Sequence, residues 1–414
     1  MRAALWRGRL TSRVTSRMVS ASSLQQQILL RSMESVIMDI AVDEPIGFLP
    51  QPNFSDSAEM RRSLLQKDPL AGVSSVEPFN LIRDELSLLN QNIKDLLGSD
   101  HPVLATVATY FFGQEAGGGK KMRPALVLLM ARATHNHSLK VDEEYRSNHS
   151  NSKNIVLASQ LRLAEIAEMV HTASLLHDDV IDVSDTRRGV KSVNQMFGNK
   201  LAILAGDFLL ARTSVCLARL RNIEVIEVMS TVIEHLVKGE VMQMKALDVK
   251  GGEAFEYYLR KNYYKTGSLI ANSILSGVIL GGHSESVRQI AFEYGESLGH
   301  AYQLCDDALD FEGSMMSLGK PALADLKQGL ATAPVLFAQE DFPELRPLID
   351  RKFSGPTDVD VAATYVHSSD SIQQTKDLAR AYSQKAIRSV MKLEPSPERD
   401  ALVHLACKVV ERNK

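Results

Sequence analysis

The sequence predicts an all-α protein, built as one large single helical bundle around a central cavity. Three observations support this fold class. Apolar residues recur at helical spacing in eleven segments. No stretch alternates apolar and polar residues over several positions, as a half-buried strand would. No change of composition divides the chain after about residue 77. In a bundle of this kind, functional side chains lie among facing helices.

The predicted helices follow one another along the whole main domain. They are expected at Leu81–Leu97, Pro102–Phe112, Pro124–Thr134, Ala158–Val183, Lys200–Leu220, Val225–Asp248, Phe255–Leu280, Glu285–Phe311, Ala331–Phe337, Gln373–Ser389 and Glu398–Glu411. The polar run His135–Asn154 is predicted to be an exposed loop, because residues typical of loops dominate it.

The first 33 residues have the composition of an organellar transit peptide. They contain six arginines and no Asp or Glu, with Ser, Thr and Leu interspersed. The arginine density favours the mitochondrial matrix over a plastid, and a disordered basic tail is the alternative. Residues 34–76 are broken by four prolines and are interpreted as a linker or arm. Residues 77–414 then form one main domain.

Composition excludes several classes of protein. The net charge is −3 and no basic stripe follows the leader, so nucleic acid is not expected as a partner. No apolar run reaches the length of a transmembrane segment, since the longest, around Leu269–Leu280, is interrupted by Asn272 and by serines. The three cysteines, Cys216, Cys305 and Cys407, are far apart and lack metal-ligand spacing, which suits a reducing compartment.

Carboxylates end the apolar helix predicted at Ala158–Val183. Asp178 and Asp182 are four residues apart and therefore lie on one face, whereas Asp179 points about 100° away. Two stacked carboxylates repel each other unless a cation lies between them. Hard oxygen ligands beside a phosphate-bearing substrate suit Mg²⁺. A solvated acidic helix end is the alternative, because acidic clusters are common on protein surfaces.

The spacing Asp-Asp-x-x-Asp occurs a second time, at Asp306, Asp307 and Asp310. It again ends a long amphipathic segment. Two such helix ends facing each other across a cavity can hold a cluster of divalent cations, and a diphosphate is a substrate that needs that much positive charge. Upstream, three glycines lead into Lys120-Lys-Met-Arg123, a flexible segment whose cations can close on phosphate oxygens.

The two acidic motifs and the Gly-Lys-Lys-Met-Arg-Pro segment resemble those of the trans-prenyltransferases, the isoprenyl diphosphate synthases. The resemblance extends from about Pro78 to the C-terminus, and the order and spacing of the motifs are more specific than any one of them. It implies a catalytic domain that condenses isopentenyl diphosphate with an allylic diphosphate. It also implies about three Mg²⁺ ions per site. Their ligands would be Asp178, Asp182, Asp306 and Asp310 or Asp307.

The resemblance also assigns substrate contacts. Positions that match the family's contacts to isopentenyl diphosphate are Lys120, Arg123, His171 and Arg188. Positions that match its contacts to the allylic diphosphate are Arg187, Lys265 and Lys320. Thr266 and Gln303 match positions beside the developing allylic cation, and the residues assigned to catalysis are Asp178, Asp182, Arg187, Lys265, Thr266, Gln303 and Asp306. Without the resemblance, His171 would be interpreted as a core histidine and the glycine segment as a surface loop.

Product length depends on residues below the first motif. Ala173 and Ser174 are small, whereas short-chain members of the family carry a bulky residue near this level. The resemblance therefore implies a long all-trans product of C40–C50, as in solanesyl and decaprenyl diphosphate synthases, for a quinone side chain such as that of ubiquinone. The alternative is that both residues are merely small packing residues. A homodimer and a peripheral membrane contact at product release are also implied.

Three other functions stay open. A class I terpene cyclase shares the acidic helix, but it has no use for the second diphosphate site that Lys120, Arg123 and Arg188 indicate. A non-catalytic subunit of a heteromeric synthase is expected to lose acidic ligands, yet both sets are complete. A shorter-chain geranylgeranyl diphosphate synthase differs only in product length.

Overall fold

Helices make up nearly all of the regular structure. The computed structural model describes residues 72–98, 101–110, 112, 121–149, 155–187, 189–244, 252–312 and 323–412, which belong to one compact unit. In these ranges the strands are limited to a two-residue antiparallel hairpin that pairs Arg187 with Val190. The all-α prediction is confirmed. The predicted transit peptide, residues 1–33, and most of the predicted arm, residues 34–76, lie outside the described residues.

The first half of the described chain contains the helix that carries the first acidic motif, α6. Its elements are α1 Pro78–Leu81, α2 Arg83–Leu97, α3 Pro102–Tyr110, α4 Met122–Val141, α5 Glu143–His149, α6 Ala158–Ile181, β1 Thr186–Arg187, β2 Val190–Lys191, α7 Val193–Phe197, α8 Asn199–Leu220 and α9 Ile223–Met244.

The second half contains the helix that carries the second acidic motif, α12. Its elements are α10 Gly252–Asn262, a π-helical segment Tyr263–Gly267, α11 Ser268–Leu280, α12 Glu285–Glu312, α13 Ala324–Lys327, α14 Ala333–Asp341, α15 Leu345–Asp350, α16 Asp358–His367, α17 Ser371–Val390 and α18 Pro397–Val410. Helices α13, α15 and α16 are not among the predicted segments. They enclose a smaller apolar core beside the end of α12.

The central helix of the bundle is α11. Every residue from Ser268 to Ile279 is buried, because α4, α6, α9 and α12 pack around it. A helix that is apolar on all sides belongs in a protein interior or a membrane. The apolar run at Leu269–Leu280 is therefore explained by its position in the core.

Glycines allow α12 to approach the start of α11 closely. A Cβ atom added to Gly299 would lie 2.6 Å from the Cα atom of Gly267. No side chain fits into such a close crossing without a backbone shift. The crossing brings Thr266, the neighbour of Gly267, to Gln303, which lies one turn beyond Gly299 on α12.

The predicted helix Phe255–Leu280 is not a regular α-helix throughout. Helix α10 ends at Asn262, and the π-helical segment Tyr263–Gly267 joins it to α11. Single π-helical turns are rare and occur frequently at functional sites. In this chain the turn contains Lys265 and Thr266, two of the residues that the sequence assigned to the substrate site.

The prediction of an exposed loop at His135–Asn154 is wrong for the residues that the structure describes. The end of α4 and the whole of α5 cover the run up to residue 149. The ring of His135 is hydrogen-bonded to the Tyr145 hydroxyl at 2.9 Å, and Tyr145 stacks on His283. Polar residues that satisfy one another inside a fold resemble loop residues in the sequence, which is why the prediction failed.

Among the described residues, α8 is long and apolar enough to cross a membrane. No segment of that length and apolarity was expected from the sequence. The mean hydropathy of its most apolar window is 1.7, and 39% of that window is buried. The helix packs on α6 and α3, and core helices of soluble proteins satisfy the same criterion. Its outer face exposes Ile203, Leu204 and Val215.

Candidate active site

The first acidic pair lies at the C-terminal end of α6. Asp178 is in the last turn, and Asp182 is the C-cap, whose backbone N–H donates to the Asp178 carbonyl at 2.8 Å. Burial raises the pKa of Asp178 to about 6 and also raises the pKa of Asp182. The partial negative charge of the helix C-terminus is a further unfavourable term for both carboxylates. This position therefore favours a bound cation.

Two charged residues on other elements act on this pair. The positive charge of Lys265 opposes the rise in the pKa of both aspartates, and the negative charge of Glu240 adds to it. The Lys265 Nζ atom lies 2.5 Å from Glu240 Oε2. The π-helical segment thus delivers its lysine to the acidic end of α6, as the predicted substrate contact requires.

Sequence reasoning missed Glu240. It lies on α9 directly after Gly239, and a Cβ atom at Gly239 would come within 2.9 Å of the Lys265 backbone nitrogen. The missing side chain lets the π-helical segment lie against α9. Only 9% of Glu240 is exposed, and unpaired buried carboxylates are rare. In the sequence the available signal was a glutamate next to a glycine within an apolar helical segment.

The middle aspartate of the first motif has a different environment. The Asp179 carboxylate is fully buried, and Arg187 contacts it through Nη2 at 2.6 Å and through Nε at 2.8 and 3.0 Å. The short hairpin after α6 turns the chain so that Arg187 reaches back to the helix. Asp179 therefore points away from Asp178, as the helical spacing predicted, although its negative charge still acts on Asp182.

The first aspartate of the second motif is far more accessible than the middle one. The Asp306 side chain is 43% exposed and forms an ion pair with Arg412, with 3.0 Å between Oδ1 and Nη2. The Arg412 guanidinium also lies over the Tyr302 ring, 4.0 Å from its centroid. Sequence reasoning did not single out Arg412, because nothing near it in the sequence indicates a partner 106 residues away.

The middle aspartate of the second motif is almost completely buried. The Asp307 Oδ1 atom accepts a hydrogen bond from Gln303 Nε2 at 2.8 Å, and Oδ2 accepts one from the Tyr258 hydroxyl. Gln303 Oε1 in turn accepts a hydrogen bond from the Thr266 hydroxyl at 3.2 Å. Burial raises the pKa of Asp307 to about 6. The predicted pair of Thr266 and Gln303 is thus brought together.

The last aspartate of the second motif is hydrogen-bonded to the backbone at the start of α13. Asp310 accepts hydrogen bonds from the backbone N–H groups of Ala324 and Asp325, each at 3.1 Å. Its carbonyl accepts a third from the N–H of Leu323. Asp310 therefore connects the end of α12 to the start of α13.

Residues predicted for isopentenyl diphosphate are only partly described. Arg123 lies in the first turn of α4 and His171 lies on α6, and both are half-buried. Lys121 donates from Nζ to the Leu86 carbonyl at 2.9 Å and so supports the chain rather than a ligand. Lys120, Arg188 and Lys320 lie outside the described residues.

The residues of the site fit magnesium bound together with a substrate. Within the described ranges no three His, Cys, Asp or Glu side chains converge to form a metal site made by the protein alone. Mg²⁺ usually takes one or two carboxylates and completes its shell with phosphate oxygens and water. The paired Asp178 and Asp182, and the accessible Asp306, offer that kind of partial ligand set.

An all-α bundle in which two long helices end in carboxylates, with a lysine acting on the first pair, is characteristic of the isoprenoid synthase class. The family comparison is more specific, because the polyprenyl synthetase family model matches residues 101–366. The chain belongs to this family, and it is a trans-polyprenyl diphosphate synthase, a prenyltransferase.

Curated relatives are similar over most of their length. The chain is 44% identical to the mitochondrial solanesyl-diphosphate synthase 1 of Oryza sativa over 351 residues, covering 82% of this chain and 79% of the rice protein. It is 46% identical to an all trans-polyprenyl-diphosphate synthase of Homo sapiens over 344 residues, covering 83% and 79%. It is 45% identical to decaprenyl-diphosphate synthase subunit 1 of Schizosaccharomyces pombe, covering 81% and 91%.

Solved structures share the fold. A polyprenyl synthase from Caulobacter crescentus, complexed with calcium and isoprenyl diphosphate, superposes with a TM-score of 0.70 at 29% identity, covering 81% of this chain and 97% of that one. A decaprenyl diphosphate synthase from Rhodobacter capsulatus gives the same TM-score and identity, covering 81% and 98%. Members of this family generally depend on magnesium, and several similar proteins are named as mitochondrial.

Proposed function

We propose that the chain elongates an allylic diphosphate with successive isopentenyl diphosphate units and releases a long all-trans polyprenyl diphosphate. The observation that carries this proposal is the meeting of Lys265 with the Asp178 and Asp182 carboxylates at one end of the buried helix α11. Such a site combines the cation-binding groups and the lysine that a diphosphate needs, beside an interior that excludes water.

The first step is ionisation of the allylic C–O bond. About three Mg²⁺ ions, held by Asp178, Asp182 and Asp306, would offset the charge that builds on the departing pyrophosphate. Lys265 would contact the same diphosphate, with Glu240 fixing the position of its ammonium group. Thr266 and Gln303 place partly negative oxygens beside the allylic cation, which these dipoles stabilise.

The second step joins the two substrates. Arg123 and His171, with Lys120 and Arg188, would hold isopentenyl diphosphate so that its double bond attacks C1 of the cation. A proton is then lost from the adduct, and pyrophosphate is the acceptor, because no side chain of the site is suited to be a dedicated base. The buried face of α11 keeps water from the cation.

Product length is set along α6. Ala173 is fully buried five residues before Asp178, and Ser174, one turn below Asp178, donates its hydroxyl to the His171 carbonyl at 2.9 Å. Neither residue has a side chain that can close a channel. A product of C40–C50 agrees with the solanesyl and decaprenyl names of the relatives, and a mitochondrial enzyme of this kind would supply the side chain of ubiquinone.

We further propose that the chain forms a homodimer through the outer face of α8. Large apolar side chains exposed along one helix mark an interaction surface, and here they are Ile203, Leu204 and Val215. Leu204→Lys should therefore yield monomers in light-scattering measurements, whereas Leu88→Lys, at an exposed position on α2, should not. A second, different subunit on this face is the other outcome, which a purified chain that remains monomeric would indicate.

Localisation and product release complete the proposal. The Arg-rich leader should direct the protein to the mitochondrial matrix, with a plastid as the alternative. A reporter fused to about the first 40 residues should enter mitochondria, and a cytosolic reporter would contradict this. A peripheral membrane contact would receive the apolar product.

The decisive experiment incubates the purified chain with magnesium, isopentenyl diphosphate and an allylic primer. Dephosphorylated products are separated by chromatography. The expected result is a ladder ending at C40–C50. Termination at C20 with ample substrate would indicate a geranylgeranyl synthase, a cyclic hydrocarbon would indicate a cyclase, and no condensation would indicate a non-catalytic subunit.

A further inference from the structure

Adjacent aspartates of the second acidic motif have opposite surroundings. The Asp306 side chain is 43% exposed, whereas only 2% of Asp307 is exposed. Both oxygens of the Asp307 carboxylate already accept hydrogen bonds from the protein, one from Tyr258 and one from Gln303. Each oxygen keeps a second lone pair, but only 2% of Asp307 is exposed. A metal ion with its water ligands could therefore reach the carboxylate only by displacing one of these buried donors, which would then lose its partner at a cost of about 1–3 kcal/mol.

We propose that Asp307 is a positioning residue rather than a metal ligand, and that it fixes Gln303 and Thr266 with the help of Tyr258 and Lys261. The inference rests on the proposed function, because Gln303 and Thr266 are placed there beside the allylic cation. It assigns metal binding in the second motif to Asp306, because both carboxylate oxygens of Asp310 also accept hydrogen bonds from the chain.

The hydrogen-bond chain has a defined direction. An ionised carboxylate only accepts hydrogen bonds, so the atom of Gln303 that faces Asp307 must be the amide nitrogen. The Gln303 oxygen then points to Thr266 and accepts its hydroxyl proton at 3.2 Å. With that proton committed, the Thr266 oxygen offers only lone pairs to other partners, which is the polarity that an allylic cation requires.

Lys261 supplies the charge that a buried carboxylate needs. It lies on α10 one turn before Lys265, only 9% of it is exposed, and its Nζ atom is 5.5 Å from the centroid of the Tyr258 ring. Its charge interacts favourably with Asp307 and Asp325. Isolated buried charges are costly, and partners nearby reduce that cost. Lys261 therefore stabilises the form of Asp307 that orients Gln303.

In the first motif, too, the middle aspartate is bound by the protein while the outer two remain accessible to a cation. Asp179, its middle residue, is fully buried and held by Arg187, whereas Asp178 and Asp182 are only partly buried. In both motifs the middle aspartate lies about 100° from the first one around the helix. In both cases that direction leads into the protein.

The test compares Asp307→Asn with Asp306→Asn, and Tyr258→Phe with Tyr257→Phe. The Asn substitution keeps the size of Asp307 but cannot accept from both donors. Tyr257 is the matched control, since its hydroxyl donates to the Met242 carbonyl and touches no part of the chain of hydrogen bonds. The full-length enzyme is titrated with Mn²⁺ and pyrophosphate, and bound Mn²⁺ is counted by electron paramagnetic resonance.

Asp307→Asn should bind as many Mn²⁺ ions as the wild type, and Asp306→Asn should bind fewer. Asp307→Asn and Tyr258→Phe should lower kcat roughly tenfold to a hundredfold, the scale of a misplaced catalytic group, while KM for the allylic substrate changes less than about twofold. Tyr257→Phe should keep wild-type kcat.

Loss of a bound Mn²⁺ ion in Asp307→Asn would overturn the inference. Equal kcat values for Tyr258→Phe and Tyr257→Phe would also overturn the inference. If Asp307→Asn does not fold, as judged by its thermal transition, Lys261→Met takes its place with the same expected readouts. A wild-type chain that binds Mn²⁺ but condenses no substrates would instead contradict the proposed function, so the two failures are distinguishable.

Discussion

Arg187 contacts the Asp179 carboxylate through two nitrogen atoms, at 2.6 to 3.0 Å, although the sequence assigns this arginine to the allylic diphosphate. Asp179 is fully buried, while Arg187 keeps 24% of its side chain exposed. The arginine can therefore neutralise the buried carboxylate and still present an edge to the site. A variant at this position has to be judged by stability as well as by substrate binding.

Removing Arg187 should affect both properties. In Arg187→Ala the buried Asp179 loses its partner, which costs roughly 3–5 kcal/mol of unfolding free energy, and KM for the allylic substrate should rise. Denaturant unfolding and steady-state kinetics measure the two effects.

Arg123→Ala should mainly raise KM for isopentenyl diphosphate. Equal effects of both variants on both substrates would contradict two separate diphosphate pockets.

Removing a metal ligand should mainly lower turnover. Asp178→Ala and Asp306→Ala should each decrease kcat by about a hundredfold or more, as expected for groups that stabilise transition-state charge. Asp185→Ala is the control, because Asp185 is exposed and the one hydrogen bond described for its carboxylate comes from the Gln195 side chain. Near-normal turnover in either ligand variant would show that the metal assignment is wrong.

Gly239→Ala tests the placement of Lys265. Replacing a glycine inside a helix by alanine usually stabilises the helix by about 0.5–1 kcal/mol. Here the new methyl group would meet Lys265 Cγ and its backbone nitrogen at 2.9 Å. We expect kcat/KM for the allylic substrate to fall at least about tenfold, with a loss of stability of about 1–3 kcal/mol from the steric clash. Val237→Ala, at an exposed position of the same helix, should behave like the wild type.

His300 should make the protein sensitive to acid. Burial between Tyr263 and Tyr382 lowers the pKa of His300 to about 3, against 6.5 in an unfolded chain. Between these two pKa values the unfolded state therefore binds more protons than the folded state. The contribution of His300 to the free energy of unfolding falls by about 1.4 kcal/mol per pH unit as the pH decreases below about 6.5. The contribution is constant above that pH.

The measurement compares unfolding free energies of the wild type and His300→Phe between about pH 6.5 and pH 4.5. The variant should lose less stability on acidification, because phenylalanine takes up no proton. His367→Gln, at an exposed histidine, serves as the control. Parallel curves for wild type and His300→Phe would show that His300 is not the acid-sensitive group.

Ala173→Phe tests the path of the growing chain. Ala173 is fully buried on α6 below Asp178, and an aromatic ring there should close the space that the tail needs. Products should shorten to C15–C20 while the first condensations continue. Chromatography of dephosphorylated products measures this, and an unchanged ladder would place the path elsewhere.

The sequence by itself determined the longer helices of the bundle and the helix ends that carry the two acidic motifs. Both depend on the period of the α-helix, which local backbone hydrogen bonds impose. The angle of about 100° between Asp178 and Asp179 follows from that period, and in the structure the first is partly buried and the second fully buried. The motif spacing also sufficed to indicate the family, since each motif lies within a single helix end.

Only the tertiary structure decided which charges meet. The contacts of Glu240 with Lys265, of Asp306 with Arg412 and of Asp307 with Tyr258 join different helices. No local pattern encodes such pairs, because they depend on how closely the helices cross. The same reason explains the helix at His135, whose polar residues find buried partners only after the bundle has packed. Local hydrogen bonding specifies the elements, and packing between distant segments specifies the site.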